Sequence, residues 1–437
     1  MNLAPARLFK AAAPSLVALA VLAACGGGVD HEDDDHGPGH ESYSVDTAGR
    51  VAIAEKDAKA LRLHDLDSGT IEATHQLDNA PSALYASPGG RYVVAAQRLE
   101  DVVQFVDGGI WQENHGDHLH DYKRASGLAG WRLTGSRPTH YDVQAGVQAA
   151  VFMDGDAGAT PAVNGSVRVI TDASIAAGST VASLDLPIAV HGLGEPVDDK
   201  LLVAARAPDA ADALPTHLDL YRRSAGTYVF DRQLPTRCNG MHGSASSGGH
   251  TVAGCADGML LVTHSSATTV SEQKVATPLR VSTVAGHPRL AGQFIGIATE
   301  GAAPAPVTTR FYALNGTTAT VSDFVPEGWA TGRVRRAHGF DRSGQRFFVL
   351  DDQGTLTVAR WQDGAWTNLA RVAGAIPAMP AAAPWPAFTA NGAKDEVYLT
   401  DPVARQLVTV NSLTGAVVSR RDLGFTPAAA AWVGITR

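Results

Sequence analysis

The segment RRAHGFDRSGQRFFVLDDQGTLTVARW, residues 335–361, contains the repeating unit of this chain. A short strand-like stretch leads to a turn with Gly344, a continuous apolar run follows over 347–350, and a second turn with Gly354 precedes alternating apolar residues. Short runs between glycine-bearing turns are typical of β-strands, and long helical patterns are absent. The segment therefore predicts antiparallel strands joined by tight turns.

The same unit recurs about every fifty residues. Its copies begin near residues 43, 81, 138, 188, 238, 280, 334 and 384. This period with all-β content predicts a β-propeller of eight blades with four strands each, seven blades and two separate β-sandwiches being the alternatives. We expect the C-terminal strand, residues 429–436, to pair with the N-terminal unit, because closing the ring removes an exposed sheet edge.

Composition limits the function classes. The chain has 437 residues, 18% of them charged, and a net charge of −9 without a basic stripe. Nucleic acid is therefore not expected as a partner, because nucleic-acid-binding domains carry clustered basic residues. We expect a monomer whose contact with a membrane is limited to a lipid anchor.

The first 24 residues resemble a lipoprotein signal peptide. Arg7 and Lys10 precede the apolar stretch 11–24, which is too short for a confident membrane span. Leu22-Ala23-Ala24-Cys25 resembles a bacterial lipobox, in which Cys25 becomes the lipidated N-terminus. Residues 1–24 are thus predicted to be removed, and the mature protein to be periplasmic and lipid-anchored, with the outer membrane favoured because Gly26 follows the cysteine. An ordinary secretory signal is the alternative.

Residues 25–42 form a predicted disordered tail rich in histidine and aspartate. Its sequence VDHEDDDHGPGHE, residues 29–41, offers no apolar side chain for a core beyond Val29. His31, His36 and His40 stand among carboxylates, and both groups bind zinc or copper. We expect weak, rapidly exchanging metal capture, with a solvated acidic spacer as the alternative. The propeller domain is predicted to span 43–437.

Single histidines recur at one position of the repeat. His140, His242 and His338 each stand six residues before the turn glycine of their unit. His191 holds the corresponding place in the unit that begins near residue 188. Equivalent ends of the innermost strands of a propeller meet at one mouth of the channel. These four imidazoles are therefore predicted to meet at one rim, where they could bind zinc.

The stretch ENHGDHLH, residues 113–120, adds three more histidines in a long insertion. We expect it to fold over the rim and supply His118 and His120, because alternate residues of an extended segment point the same way. His115 and Asp117 would lie opposite or orient an imidazole, and Asp142 is a further auxiliary carboxylate. The alternative is a polar loop with a chance run of histidines.

Cys238 and Cys255 are the other two cysteines. Export to an oxidising compartment favours a disulfide between them, which would contribute roughly 3 kcal/mol. A pair of soft metal ligands is the alternative.

These features together resemble the AztD-type periplasmic zinc metallochaperones. The HGDHLH loop and the segment Cys238-Asn239-Gly240-Met241-His242-Gly243 carry the resemblance, with the acidic histidine tail and the recurrent His-Gly turns. It implies zinc ligation by His118, His120, His140 and His242, with His191 and His338 as neighbours or members of a second site. It also implies transfer of zinc to the solute-binding protein of a zinc ABC importer. The lipobox departs from this pattern, because a tethered shuttle reaches fewer partners.

The sequence thus predicts a zinc-binding metallochaperone that is not an enzyme. A metal-dependent propeller hydrolase of the lactonase or esterase type and a metal-free interaction scaffold are the alternatives. The chain has no His-Glu-x-x-His and no Gly-x-Ser-x-Gly motif. Imidazole ligands are expected to make zinc affinity fall steeply as the pH drops toward 6. Copper should bind such a site more tightly than zinc in vitro.

Overall fold

The structure is a computed structural model that describes residues 42–210, 213–265 and 269–437. Residues Ser42–Arg437 form one compact unit. The predicted signal peptide, the lipidation site Cys25 and the tail histidines His31, His36 and His40 lie outside the described residues. In the described part of the chain, no helix is long and apolar enough to cross a membrane.

The regular secondary structure of the described residues is almost all β-strand: 34 strands, with one short α-helix, α1 (Asp172–Ala176), and one 3₁₀ turn (Arg98–Glu100). The first half contains β1 Arg50–Glu55, β2 Ala60–Asp65, β3 Thr70–Gln76, β4 Ala83–Ala86, β5 Tyr92–Gln97, β6 Val102–Asp107, β7 Ile110–Asn114, β8 Leu119–Lys123, β9 Gly127–Thr134, β10 Pro138–Gln144, β11 Gln148–Met153, β12 Ser166–Ile170, β13 Ala182–Asp185, β14 Gly194–Val197, β15 Lys200–Ala205, β16 His217–Ser224 and β17 Thr227–Gln233. The second half contains β18 Ser244–Ser247, β19 His250–Cys255, β20 Gly258–His264, β21 Val270–Ala276, β22 Val281–Gly286, β23 Gln293–Glu300, β24 Thr308–Asn315, β25 Thr320–Phe324, β26 Arg335–Phe340, β27 Arg346–Asp351, β28 Leu356–Gln362, β29 Ala365–Val372, β30 Phe388–Ala390, β31 Glu396–Asp401, β32 Gln406–Asn411, β33 Val417–Asp422 and β34 Pro427–Val433.

These strands form eight antiparallel four-stranded blades within the described residues, which confirms the predicted propeller and its blade count. Blade 1 is β34-β1-β2-β3, blade 2 is β4-β5-β6-β9, and blades 3 to 8 each use four consecutive strands from β10 to β33. Blades 3 and 4 are joined by a single parallel pair, Ser183 with Thr227. The inserted strands β7 and β8 form a separate hairpin.

The two ends of the sheet meet in blade 1. The C-terminal strand β34 pairs antiparallel with β1, so that Arg50 lies opposite Val433 and Ala54 opposite Ala429. The C-terminal segment thus supplies the innermost strand of a blade whose other three strands come from the N-terminal unit. This is the predicted closure of the ring, and it removes the exposed edge that each end would otherwise present.

The apolar runs of the repeat lie in the second strand of each blade, which is buried on both faces. In β27, Phe347 and Val349 pack against Ile295 and Ile297 of blade 6. Phe348 and Leu350, which point to the other face, pack against blade 8 at Val397 and Leu399. A strand between two blades therefore needs a continuous apolar run instead of an alternating one.

The β7–β8 hairpin lies beside the first described residues. Tyr43 donates a hydrogen bond to the Leu119 carbonyl (3.0 Å), and the Asp121 amide donates to the Tyr43 carbonyl (2.9 Å). The buried carboxylate of Asp121 accepts hydrogen bonds from the Val45 amide at 2.7 Å and Gln112 at 2.8 Å, and it pairs with Arg437. The first described residues of the chain are thus fixed to the hairpin.

Candidate metal centre

Three histidines from three consecutive blades meet at one mouth of the channel. His140 lies in β10, and His191 and His242 lie just before β14 and β18. One nitrogen from each ring comes within 4.8 Å of the others, and the ring centroids are 5.0–5.3 Å apart. The Nε2 atoms of His140 and His191 are 3.4 Å apart. The blade repeat thus brings together side chains that are 51 residues apart in the chain; we call these three the rim cluster.

Hydrogen bonds from neighbouring blades orient two of the three rings. His191 Nδ1 donates to Asp154 Oδ2 (2.9 Å), and His242 Nδ1 donates to the carbonyl of Ser282 (2.8 Å). Because a carboxylate and a carbonyl only accept, Nδ1 carries the proton in both rings and Nε2 keeps its lone pair. Zinc in proteins is commonly held by imidazole nitrogens oriented in this way. The rim cluster therefore fits a zinc ion.

Burial lowers the pKa of two of the rim imidazoles, His140 and His242. Burial, together with the neighbouring His191 and His242, lowers the pKa of His140 to about 4. Protons therefore compete for these nitrogens only at a lower pH than for an ordinary imidazole. For His140 and His242, this shifts the expected decline in zinc affinity below pH 6.

Asp154 supports the rim cluster from the end of β11. Burial raises the pKa of this carboxyl, but hydrogen bonds from His191, Thr139 and Arg98 outweigh it, so that the net pKa lies below its usual value. Thr139 donates at 2.8 Å and Arg98 at 3.0 Å. Asp154 is therefore a carboxylate at neutral pH and places a negative charge beside His191.

The hairpin holds a second group of histidines, which we call the hairpin cluster: His115, His118 and His120. Their ring centroids lie 4.8–5.3 Å apart. Asp117 accepts a hydrogen bond from His118 Nδ1 (2.5 Å), which lowers the pKa of Asp117. The three rings are about as close together as those of the rim cluster, whose centroids are 5.0–5.3 Å apart. His115 thus joins His118 and His120 instead of lying opposite them.

The hairpin cluster and the rim cluster lie at opposite mouths of the channel. Strand β10 runs from the rim cluster toward Ala145 and Gly146, which line a wide funnel together with Gln112 and Glu113 of the hairpin. From His140 to Ala145 the strand advances about 17 Å, at roughly 3.4 Å per residue. The hairpin therefore does not fold over the rim, and the expected ligand set of His118, His120, His140 and His242 is not brought together.

His338 also lies apart from the rim cluster. It pairs with Val349, whereas Ala337 pairs with Leu350, the next-to-last residue of β27. His140 pairs with Phe152, the next-to-last residue of β11, so Ala337 is its true equivalent. The sequence alignment placed His338 at the position of His140, because both stand six residues before a turn glycine. The turn after β26 is longer than the turn after β10, so this alignment was wrong. His338 accepts a hydrogen bond from Arg335 (2.7 Å), and burial lowers its pKa to about 3.

Asp142 lies two residues after His140 on β10 and accepts hydrogen bonds from the Gly194 amide (3.2 Å) and Ser244 (3.4 Å). Burial, with Glu195 nearby, raises its pKa well above the usual value, and burial raises the pKa of Glu195 as well. Both line the channel interior next to His338. Asp142 is therefore close to the rim cluster along the strand, but its carboxylate accepts hydrogen bonds from Gly194 and Ser244.

The predicted disulfide is confirmed and lies beside the rim cluster. Cys238 and Cys255 are bonded with a Cα–Cα distance of 4.9 Å, and both are fully buried. The His242 amide donates to the Gly254 carbonyl (3.1 Å), so the bond fixes the loop 238–243 to β19. The soft-ligand alternative does not apply to these bonded cysteines.

Sequence reasoning missed Asp154 and Ser282. Asp154 follows β11, and aspartates end the second strand of two other blades at Asp351 and Asp401. An aspartate that recurs at the end of the second strand, next to a blade with a rim histidine, could have indicated Asp154 from the sequence. Ser282 contributes its backbone carbonyl, which leaves no trace in the identity of the residue.

The chain is similar in sequence to a known protein over part of its length. No family model matches the chain. The curated protein "Zinc chaperone AztD" of Citrobacter koseri is 29% identical over 228 residues, which is 51% of this chain and 50% of that protein. The aligned part thus spans about half the length of that relative.

Solved structures extend the likeness in fold. The crystal structure of C. koseri AztD superposes with a TM-score of 0.71 at 22% identity, over 89% of this chain and 99% of that one. Apo AztD of the same organism gives 0.68 at 20% identity, over 89% and 98%. A dihydro-heme d1 dehydrogenase, NirN, gives 0.56 at 12%, over 91% and 78%. The chain is thus similar to zinc chaperone AztD in sequence over half of its length and in fold over most of it, which confirms the resemblance indicated by its motifs.

Proposed function

We propose that this protein is a zinc metallochaperone that binds its cargo at the rim cluster. The observation that carries the proposal is the convergence of His140, His191 and His242, with one nitrogen of each within 4.8 Å of the others. Three imidazoles leave one position of a tetrahedral zinc ion for another ligand. An incoming donor from a partner can occupy that position and then displace the imidazoles one at a time.

The hairpin cluster is proposed to be a second, weaker zinc site. Its three rings are held on one tight hairpin, and the carboxylates of Glu113 and Asp117 lie close to His115 and His118. The tail root at Ser42 and Tyr43 is hydrogen-bonded to the strand that carries His120. This attachment supports a role in which His31, His36 and His40 of the tail capture zinc and deliver it first to the hairpin, because a short tether raises the local concentration.

The receiving partner is proposed to be the solute-binding protein of a zinc ABC importer, and the compartment the periplasm, with anchoring through Cys25 to the outer membrane. The similarity to a protein named as a zinc chaperone supports the cargo. The lipobox pattern around Cys25 supports the proposed periplasmic location and lipid anchoring. Delivery would then occur within the reach of the tail.

The test is a zinc titration of the mature chain without an affinity tag, in competition with a chromophoric chelator. We expect one tight equivalent and one weaker equivalent of zinc. Mixing the loaded protein with a metal-free zinc-importer solute-binding protein should transfer zinc faster than zinc dissociates into a chelator alone. Transfer no faster than dissociation would refute the delivery role, and no tight equivalent would refute zinc binding at the rim.

The same preparation distinguishes a hydrolase. The rim cluster with a water on zinc would resemble a catalytic site in its donor set, and Asp142 lies two residues from one ligand. We propose cargo binding without catalysis, so lactone and ester substrates should show no zinc-dependent turnover. Zinc-dependent turnover that is lost in His140→Ala would favour the hydrolase.

A further inference from the structure

We infer that Asp154 is the positioning residue of the rim cluster and that Arg98 opposes it, so that the pair sets how tightly the proposed cargo is held. The evidence for this inference is the set of hydrogen bonds that Asp154 makes. Its effect on zinc binding rests on the proposed function. Asp154 touches no zinc-binding nitrogen; it acts through the far nitrogen of His191.

Asp154 concentrates its contacts on one oxygen. Oδ2 accepts hydrogen bonds from His191 Nδ1 at 2.9 Å, from the Thr139 hydroxyl at 2.8 Å and from Arg98 Nη2 at 3.0 Å. Oδ1 is buried, and it has no hydrogen-bond partner within the described residues. The carboxylate is therefore turned so that its bonded oxygen faces His191.

This arrangement fixes both the tautomer and the direction of the His191 ring. With Nδ1 donating to Oδ2, Nε2 points toward His140, 3.4 Å from its Nε2. A carboxylate behind an imidazole also makes its other nitrogen a stronger metal ligand, and loss of such a partner typically weakens metal binding about 10–100-fold. Asp154 should therefore strengthen zinc binding through His191.

Arg98 acts on the same oxygen with the opposite sign. It lies on the 3₁₀ turn Arg98–Glu100, bonds Thr139 through Nε at 2.9 Å, and pairs with Oδ2. Its positive charge takes part of the electron density that Oδ2 offers to His191, and it also repels a divalent cation at the rim. Removing this charge should tighten zinc binding by about two- to fivefold, the range of a partly exposed ion pair.

The experiment compares Asp154→Asn and Arg98→Gln in chelator-competition titrations. We expect Asp154→Asn to raise the zinc Kd about 10–100-fold and Arg98→Gln to lower it. Matched controls are Asp156→Asn and Arg137→Gln, which remove the neighbouring ion pair (2.6 Å) without touching a rim histidine, and which should leave the Kd unchanged.

A second readout needs no zinc. In metal-free protein with ¹⁵N-labelled histidine, the two-bond ¹⁵N–¹H spectrum should show the Nδ1–H tautomer of His191 in the wild type and Arg98→Gln, and a mixture in Asp154→Asn. An unchanged Kd and tautomer in Asp154→Asn overturn the inference for Asp154, and weaker binding in Arg98→Gln overturns it for Arg98. If the tautomer depends on Asp154 but no variant binds zinc tightly, the chaperone proposal fails and the orienting role stands.

Discussion

The hairpin cluster and the rim cluster place three histidines each at opposite mouths of one channel, and they are built in different ways. The hairpin cluster comes from six consecutive residues, 115–120, and the carboxylates beside it, Glu113 and Asp117, are near neighbours in the chain. The rim cluster comes from three blades, and its rings are oriented by Asp154 and by the backbone of Ser282 in blade 6.

This difference bears on affinity. A ligand set held by packed blades keeps its geometry when the metal leaves, so binding costs little reorganisation. A ligand set on a hairpin turn around Gly116, whose φ of 97° suits glycine, can adjust to several partners. Under the proposed function, we therefore expect tight zinc binding at the rim cluster and loading or exchange of zinc at the hairpin cluster.

The largest expected effect is the loss of rim ligands. His140→Ala with His191→Ala should weaken the tight zinc equivalent on the order of a thousandfold, because it removes two of three imidazoles whose coordination supplies the binding energy. His118→Ala with His120→Ala is the matched pair on the hairpin and should abolish only the weaker equivalent. Isothermal titration of both double variants checks this. If the hairpin pair abolishes tight binding, the assignment of the two sites is reversed.

The next effect is that of the disulfide. Cys238→Ser with Cys255→Ser should lower the free energy of unfolding by about 3 kcal/mol, because a closed loop of this length restricts the unfolded chain. The loop it fixes presents His242, so the tight zinc equivalent should also weaken, while the hairpin equivalent should not. Urea unfolding and zinc titration give the two values. Full stability in the double variant would show that packing alone holds the loop.

The smallest effect is on the pH dependence of stability. The pKa of His140 in the folded protein is about 4, below the ordinary value of 6.5, so the unfolded chain takes up its proton first. The stability this neutral ring contributes is complete above about pH 6.5 and is lost as the pH falls through about 4, by roughly 2 kcal/mol after allowing for partial solvent access. His140→Gln should therefore lose less unfolding free energy than the wild type when the pH is lowered.

The measurement is the unfolding free energy of the zinc-free protein at pH 7 and pH 4.5, with His64, His264 and His287, whose pKa values burial also lowers to about 4, left intact. A variant with the same pH dependence as the wild type would contradict a buried neutral imidazole at position 140.

Much of the fold could be predicted from the sequence. The apolar run Phe347–Leu350 recurs at a fixed period because each blade repeats the same burial, and the strand boundaries follow the turn glycines closely. The predictions of the disulfide and of ring closure by the C-terminal strand were also confirmed. Register failed at His338, because one turn is longer and a shift of one residue sends a side chain to the other face of a strand.

The candidate site was predicted only in part. The position of the hairpin remained hidden, because it depends on the mouth at which β6 ends and β9 begins, where Asp107 pairs with Gly127. Asp154 remained hidden because its role depends on a neighbouring blade. The signal peptide, the lipid anchor at Cys25, the tail capture residues and the domain limits remain predictions.

By itself, the sequence determined the repeated strands and the positions of the histidines. The periodic pattern of apolar residues and the chemistry of each side chain can both be read from neighbouring residues. Only the tertiary structure decided that His140, His191 and His242 meet, that His118 and His120 lie with His115 on the hairpin, and that His338 lies apart from both groups. Strand register and the direction in which each blade faces depend on contacts between residues far apart in the chain, and these follow from packing of the whole ring.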